Sequence, residues 1–341
     1  MELTPLHIQA AGLGAVSPAG WGVGPLLATV RAGEPLPVEE IVRAPGAPRQ
    51  RLRRVPKPAA PPPHARHPRL RRTSPIAGFA VAAALEALGD ERAAAAQAGR
   101  LDIGVISVAL NGCVNFSRRF YGEALADPST ASPIVFPETV FNAPSSHLSA
   151  LLGLGGVNDT LVGDTAQFLA AFDLAALWLE MGEAEGVLVV AAEEIDWLSA
   201  EGAALLDPGV IIAEGAAAVY LEKSAAPRTR LSPARLVSPQ HPRTTAARRL
   251  RDDWRGCVPP DAALYDGLTG SLVADAGEKE SFADWTGPRL SVKKTLGEGL
   301  AAGTGWQCVA ALADLHAGRC PAAFVPAIGT NQQALGALFA R

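Results

Sequence analysis

The sequence predicts an α/β protein with a largely parallel, buried sheet, and three observations carry that reading. Apolar runs at 103–109, 187–192 and 216–221 are long enough for strands and lack the polar alternation of a half-exposed sheet. Between the first two lies a short strand pattern at 159–162 followed by a helical stretch at 165–181, the strand–helix–strand spacing of a parallel crossover. A second group repeats the pattern, with strands at 216–221 and 334–339 around a helix at 304–316. The 341 residues suffice for two lobes.

Each element follows from local chemistry. Residues 44–72 hold eight prolines and nine lysines or arginines, and proline removes donors, so this stretch is expected to be an exposed loop with no regular element. The helix that follows covers 74–88: Ser74 suits the N-cap, Pro75 the first helical position and Gly89 the stop. Gly182 closes the helix over 165–181 in the same way. Residues 225–260 are rich in proline and arginine with weak periodicity and read as a linker between lobes. The division is therefore 1–224, then 225–263 as linker or shortened cap, then 264–341. No tandem repeat of 20–50 residues is visible.

Composition excludes several classes. Hydrophobic residues at 48% against charged residues at 19% provide a core and exclude disorder as the general state. Thirty basic against 34 acidic side chains leave a formal charge of −4, so nucleic acid is not the expected partner. Cys113, Cys257, Cys308 and Cys320 are widely spaced with no Cys-x-x-Cys pair, which excludes a zinc cluster or disulfide framework and fits a reducing cytoplasm. The N-terminus, with Glu2 and His7, does not read as a signal peptide, and no run of 18 apolar residues predicts a membrane span.

Six stretches, in order, carry a resemblance. They are Ala11-Gly-Leu-Gly-Ala-Val-Ser-Pro-Ala-Gly, Phe136-Pro with Val140-Phe-Asn-Ala-Pro, and Leu154-Gly-Gly-Val-Asn-Asp-Thr-Leu-Val. Then come Gly182-Glu-Ala-Glu-Gly-Val-Leu-Val-Val-Ala-Ala-Glu-Glu, Gly209-Val-Ile-Ile-Ala-Glu-Gly-Ala-Ala-Ala-Val-Tyr-Leu-Glu and Lys293-Lys-Thr-Leu-Gly-Glu-Gly-Leu-Ala-Ala-Gly. Through these the chain resembles the β-ketoacyl synthases of the thiolase superfamily over about residues 7–224 and 264–341. The resemblance implies a five-layer αβαβα sandwich of two similar halves, with no cofactor or metal. It also implies a dimer whose central sheet continues across subunits.

The family's chemistry uses a cysteine at a strand-to-helix turn, activated by the helix's positive end, and two histidines that stabilise an enolate. Carried over by position, the resemblance places the cysteine at Thr165, the histidines at Asp266 and Glu298, and a supporting lysine at Lys293. The six histidines are His7, His64, His67, His147, His241 and His316, and none falls in the second-half motifs. A threonine without a base is a poor nucleophile at pH 7, and losing one oxyanion donor alone costs about 2.7–4 kcal/mol.

Several readings of these positions stand side by side. Thr165 is a helix N-cap beside Asp164, or an acyl acceptor. Asp266 and Glu298 are structural acids paired with Lys293, or a carboxylate pair for acid–base work. Gln167 reads as an ordinary helix residue and Cys113 as a small core residue. Arg66, Arg69, Arg71 and Arg72 belong to a solvated loop, or dock an acidic acyl carrier protein.

The resemblance thus implies a catalytically degenerate subunit like the chain length factors of type II polyketide and aryl-polyene systems. Its partners are an active ketosynthase subunit, or a second copy of itself, and an acyl carrier protein. In fatty acid, polyketide or aryl-polyene synthesis it would set chain length. Chain length factors often carry glutamine at the nucleophile position, from which threonine departs. The family's phenylalanine-rich gate is replaced by Ile328-Gly-Thr-Asn-Gln-Gln. Two further readings are a decarboxylase or hydrolase built on Asp266, Glu298 and Thr165, and a non-catalytic homodimeric scaffold.

Overall fold

The structure is a computed structural model that describes residues 3–60, 62 and 66–341. Six strands form the first sheet, in the order β3 (Gly20–Trp21), β2 (Ile8–Ser17), β10 (Gly215–Lys223), β8 (Gly186–Glu193), β6 (Ile103–Ala109) and β7 (Asn158–Val162). The second sheet runs β1 (Thr4–Leu6), β11 (Thr229–Leu231), β16 (Gln333–Ala340), β15 (Ala322–Ile328), β13 (Ala263–Asp266) and β14 (Arg289–Ser291), with β12 (Arg235–Leu236) also paired to β16. Numbered along the chain within each half, β2, β6, β7, β8, β10 and β11, β13, β14, β15, β16 both lie in the order 1-5-4-2-3. Strand directions agree as well. The β8–β6–β7 and β15–β13–β14 pairings are parallel, while β10 and β16 run antiparallel to both neighbours. The halves are thus topological repeats, and each sheet is mixed where a largely parallel one was expected.

Two apolar helices, α5 (Gln167–Met181) and α10 (Leu300–His316), lie between the sheets and share one core with residues of both. On the outer face of the first sheet pack α2 (Pro75–Gln97) and α4 (Ala143–Leu152). On the outer face of the second pack α7 (Arg243–Asp253) and α8 (Ala276–Ser281). Five layers result. The Gly12 and Gly14 of the first motif have a packing reason: a Cβ at either would come within 1.8–1.9 Å of the α2 carbonyls of Ala87 and Ala83. Only bare backbone lets α2 lie this close to β2.

Further helices and a small third sheet complete the fold. These are α1 (Val23–Ala32), α3 (Val114–Ala126), α6 (Trp197–Leu206) and α9 (Val292–Leu296), with a small sheet of β4 (Glu39–Ile41), β5 (Gln50–Arg53) and β9 (Ile212–Ala213). The β5 strand corrects the expectation of no regular element at 44–72. The proline-free run between Pro48 and Pro56 is extended, buries Leu52 and Arg53, and pairs with β9. Residues 61 and 63–65 of that stretch, including His64, lie outside the described residues. At Gly89 the backbone leaves helical geometry (φ 67°), but the helix resumes and runs to Gln97. The supposed linker at 225–263 supplies β11, β12 and α7, and Ala246, Ala247 and Leu250 of that helix, with Trp254 just after it, enter the core.

Candidate functional site

The repeat brings two turns face to face, one before α5 and one before α10. In the first, β7 ends at Val162 and α5 begins at Gln167, so Thr165 precedes the helix and caps nothing with its side chain. Its buried hydroxyl instead donates to the Leu300 carbonyl at 2.9 Å, contacts Thr304 Oγ1, and accepts from Lys293 Nζ at 2.7 Å. The N-cap reading of Thr165 therefore fails: its oxygen is engaged by the other half.

In the second turn, Gly297 (φ 101°) ends α9 and Leu300 opens α10 with φ 52°, the only positive φ outside glycine among the described residues. An L side chain in that region is strained. Glu298 holds it there, because Glu298 Oε1 accepts the Leu300 N–H at 2.8 Å. Glu298 Oε2 takes Lys293 Nζ at 3.0 Å. Lys293 is itself buried, and its stem passes Gly303, where a Cβ would meet Lys293 Cε at 3.0 Å. Lys293 is thus a donor to both neighbours, and an ammonium has no lone pair with which to accept a proton from Thr165.

Asp266 is separated from this cluster. Fully buried at the end of β13, it accepts from Arg289 Nε at 2.7 Å, Ser291 Oγ at 3.0 Å and the Leu268 amide at 3.2 Å. Of the two acids expected beside Lys293, only Glu298 is paired with it. The carboxyl nearest Asp266 in effect is the buried Glu278, pushed up to about 7 by burial and then by the Asp266 charge. Burial likewise raises Asp266, against the Arg289 guanidinium.

Glu298 and Leu300 open onto a cleft of about 790 Å³. Its walls include Leu110, Val114, Leu198, Ala203 and Leu206, and its polar lining includes Asp164, Thr269, Thr330 and Asn331, with Arg243 at α7. No cysteine or histidine lines it among the described residues. Asp164 is buried beneath the 329–331 turn, where its Oδ2 accepts the Thr330 amide at 2.9 Å. Burial raises its pKa.

Sequence reasoning missed one residue here and read a second only as an ordinary helix position. Glu193, at the end of β8, is fully buried and accepts the Leu110 and Asn111 amides at 2.6 and 3.0 Å, which fixes the cleft wall. Burial pushes it up to about 8 despite those amides and that of Ala301. The signal was the Ala191-Ala-Glu-Glu end of an apolar strand, where a buried acid demands donors. The second is Gln167, the first residue of α5, whose Oε1 accepts from Gln333 Nε2 at 2.7 Å.

The other candidates lie elsewhere. Cys113, Cys308 and Cys320 are buried, and burial pushes all three thiols up. His147 pairs with Glu138 at 2.8 Å. Arg66, Arg69, Arg71 and Arg72 are exposed, and Arg69 lines a polar recess with Ser146, Ser149 and Asn158 at the β7 edge, away from the cleft. No cluster of three metal-ligating side chains occurs among the described residues, and no helix is long and apolar enough to cross a membrane.

No protein-family model and no curated protein sequence matches the chain. Solved structures do. An ishigamide ketosynthase/chain length factor aligns at 22% identity over 98% of this chain and 99% of its own, with a TM-score of 0.76. A β-ketoacyl synthase from Burkholderia phymatum aligns at 16% identity over 98% and 99%, with a TM-score of 0.78. A type II polyketide ketosynthase, solved with its acyl carrier protein and a bound hexaketide, aligns at 15% over 99% and 100%, with a TM-score of 0.74. Together with the repeated 1-5-4-2-3 sheets and the five layers, these likenesses establish that the chain has the thiolase-like fold of the β-ketoacyl synthases.

Proposed function

We propose that the chain is a ketosynthase-fold subunit that does not condense acyl units by itself. It acts like a chain length factor beside a catalytically complete ketosynthase and an acyl carrier protein. One observation carries this reading: the two turns that face each other hold a locked hydroxyl–ammonium–carboxylate set, with the Gln167 amide engaged separately by Gln333 and no thiol or imidazole at the cleft among the described residues. The positive end of α5 begins at Gln167, so Gln167, not Thr165, takes the nucleophile's place. That removes the departure noted for threonine, since glutamine is what the chain length factors often carry there. Asp266 and Glu298 take the histidine places, and Lys293 is retained as a structural cation.

The partner is proposed from the open edge of β7, an outer strand whose free side can extend the first sheet into a second subunit. The exposed Arg69 lies by that edge and, with its neighbours Arg66, Arg71 and Arg72, suits a contact with the partner subunit, whereas Arg243 lies at the cleft and suits the acidic carrier protein. The product class is polyketide, fatty acid or aryl polyene. Free buried cysteines favour the cytoplasm.

A hydrolase or decarboxylase built on Thr165 draws on its 2.7 Å contact with Lys293, but the hydroxyl gives its proton to the Leu300 carbonyl and Lys293 is committed to Glu298. The test is to incubate the purified chain with acyl and malonyl carrier-protein thioesters, alone and with a candidate ketosynthase. Expected are no elongation, no hydrolysis and no covalent acyl adduct by intact mass for the chain alone, and a heterodimer that elongates when both are present. Elongation by the chain alone overturns the proposal, and a self-dimer that ignores the ketosynthase favours the scaffold.

A further inference from the structure

Four aliphatic side chains stand in water at the mouth of the cleft. Leu205 and Leu206 end α6 at 88% and 72% exposure, and Leu272 and Val273, on the loop between β13 and α8, stand at 85% and 76%. Leu206 and Val273 both line the cleft, so the two pairs flank one opening. A single exposed aliphatic needs no explanation, but four grouped on two segments mark a contact surface.

Asp207 ties the two segments together. It follows Leu206 and accepts from Ser271 Oγ at 2.6 Å and the Ala274 amide at 3.1 Å, on either side of the Leu272–Val273 pair. The loop also bonds to itself. Asp275 takes the Thr269 and Gly270 amides at 2.8 and 2.9 Å, Thr269 Oγ1 takes that of Ser271, and Ser271 Oγ that of Val273, both at 3.2 Å. The amides of 269–271, 273 and 274 are thus bonded inside the fold while the alkyl groups face out, which is what backbone needs before it can enter a medium without water.

Cations ring this surface. Arg51 Nη2 donates to the Pro208 carbonyl at 3.2 Å, Lys294 Cγ lies 3.8 Å from where a Gly270 Cβ would stand, and Arg243 acts on Asp207. None of the three is in a salt bridge among the described residues, and nearby acids are already engaged, Glu201 by Arg43 at 3.8 Å and Asp275 by Lys279 at 3.5 Å. The whole chain carries −4, so this positive excess is local. A folded partner would meet such a surface with sockets and acids in fixed positions. Protruding alkyl tips inside a ring of unpaired cations match an anionic bilayer instead, which adapts to tips and offers phosphates at any position around them.

We infer that this rim binds an anionic lipid bilayer. The four aliphatic side chains enter the boundary between headgroups and acyl chains, and Arg51, Arg243 and Lys294 meet lipid phosphates. The chain lies on the surface and does not span it. The inference goes beyond the proposed function and does not depend on it.

The test is flotation of the full chain with vesicles of phosphatidylcholine alone or of equimolar phosphatidylcholine and phosphatidylglycerol. Binding to the mixed vesicles is expected, stronger than to phosphatidylcholine by about fivefold for each cation engaged and falling as salt rises. Leu205→Asp and Leu272→Asp should each weaken it by about tenfold or more, and Lys294→Gln by about fivefold. Circular dichroism confirms that the variants fold, and Leu272→Ser gives a smaller loss of the same sign if an aspartate variant does not. No flotation of the wild type, or flotation unchanged in both leucine positions, overturns the inference. A wild type that ignores vesicles but binds a carrier protein through these leucines gives the surface to that protein, and the inference falls. It falls equally if the wild type self-associates in sedimentation and Leu272→Asp makes it monomeric, which gives the surface to a second copy.

Discussion

The ammonium of Lys293, from the second half of the chain, grips the hydroxyl of Thr165, from the first, at 2.7 Å. Glu298 completes the grip at 3.0 Å from the same ammonium. One buried cation thus joins the two turns that open the central helices, and the cluster behaves as a rivet between halves.

Removing that cation should expose its importance. Lys293→Met leaves Glu298, whose side chain is 13% exposed, without its partner. Breaking such a pair from one side costs about 3–5 kcal/mol. Because Glu298 retains some solvent, the loss is expected near the lower end in urea unfolding. The double variant Lys293→Met/Glu298→Gln should recover most of it, and failure to recover would show that packing of the lysine stem, not charge, is what matters.

A second prediction concerns pH. Glu193 is raised from 4.5 to about 8 by burial. Between those values the unfolded chain has lost a proton that the folded chain keeps, so stability falls as pH rises through about 4.5 to 8 and levels off above. Unfolding midpoints taken across that range should decline less steeply in Glu193→Gln, which has no proton to lose. Equal slopes in the two proteins would assign the titration to other buried acids.

The first motif is a packing device, and it can be broken cleanly. Gly14→Val forces side-chain atoms into the α2 carbonyl of Ala83, and Gly12→Val does the same at Ala87. Each should exceed the 4–5 kcal/mol or so that marks an exceptional loss and give unfolded or insoluble protein. Gly24→Ala, whose Cβ meets nothing within 4 Å, is the control and should express normally.

Much of this was legible in sequence order, and the failures have physical causes. The strands at 103–109 and 187–192 declared themselves through unbroken apolar runs, because both faces of the first sheet are covered. The second sheet was harder to see. In α7 and at its C-cap the residues 246, 247, 250 and 254 keep helical spacing, but five arginines among 243–253 and 255 hid it. The helix expected over 165–181 starts two residues later, at Gln167, because Asp164 and Thr165 are both good cap residues and sequence alone does not say which turn begins the helix. Asp266 pairs with Arg289 across parallel β13 and β14, a partnership 23 residues apart that no local pattern announces.

Charge reversal separates the two basic surfaces. Arg243 stands at the cleft, close enough to act on Asp207 and Glu278, whereas Arg69 stands at the β7 recess. Arg243→Glu should weaken carrier-protein binding by about tenfold, some 1.4 kcal/mol, and flatten its salt dependence. Arg69→Glu should leave the carrier affinity in place and loosen the complex with the ketosynthase, read by sedimentation. The reverse assignment would return carrier docking to the 66–72 segment.

The rims of the three sheets differ in length. With five residues β7 exceeds β3, β1, β14 and β4, which have two or three. Among the described residues, β7 is thus the longest of the outermost strands, and its free side is the one proposed for strand addition. Two copies joined across that rim would bury both β7 strands at one seam, leaving outermost strands of only two or three residues at the far ends of the joined sheet, so addition through β7 closes on a pair.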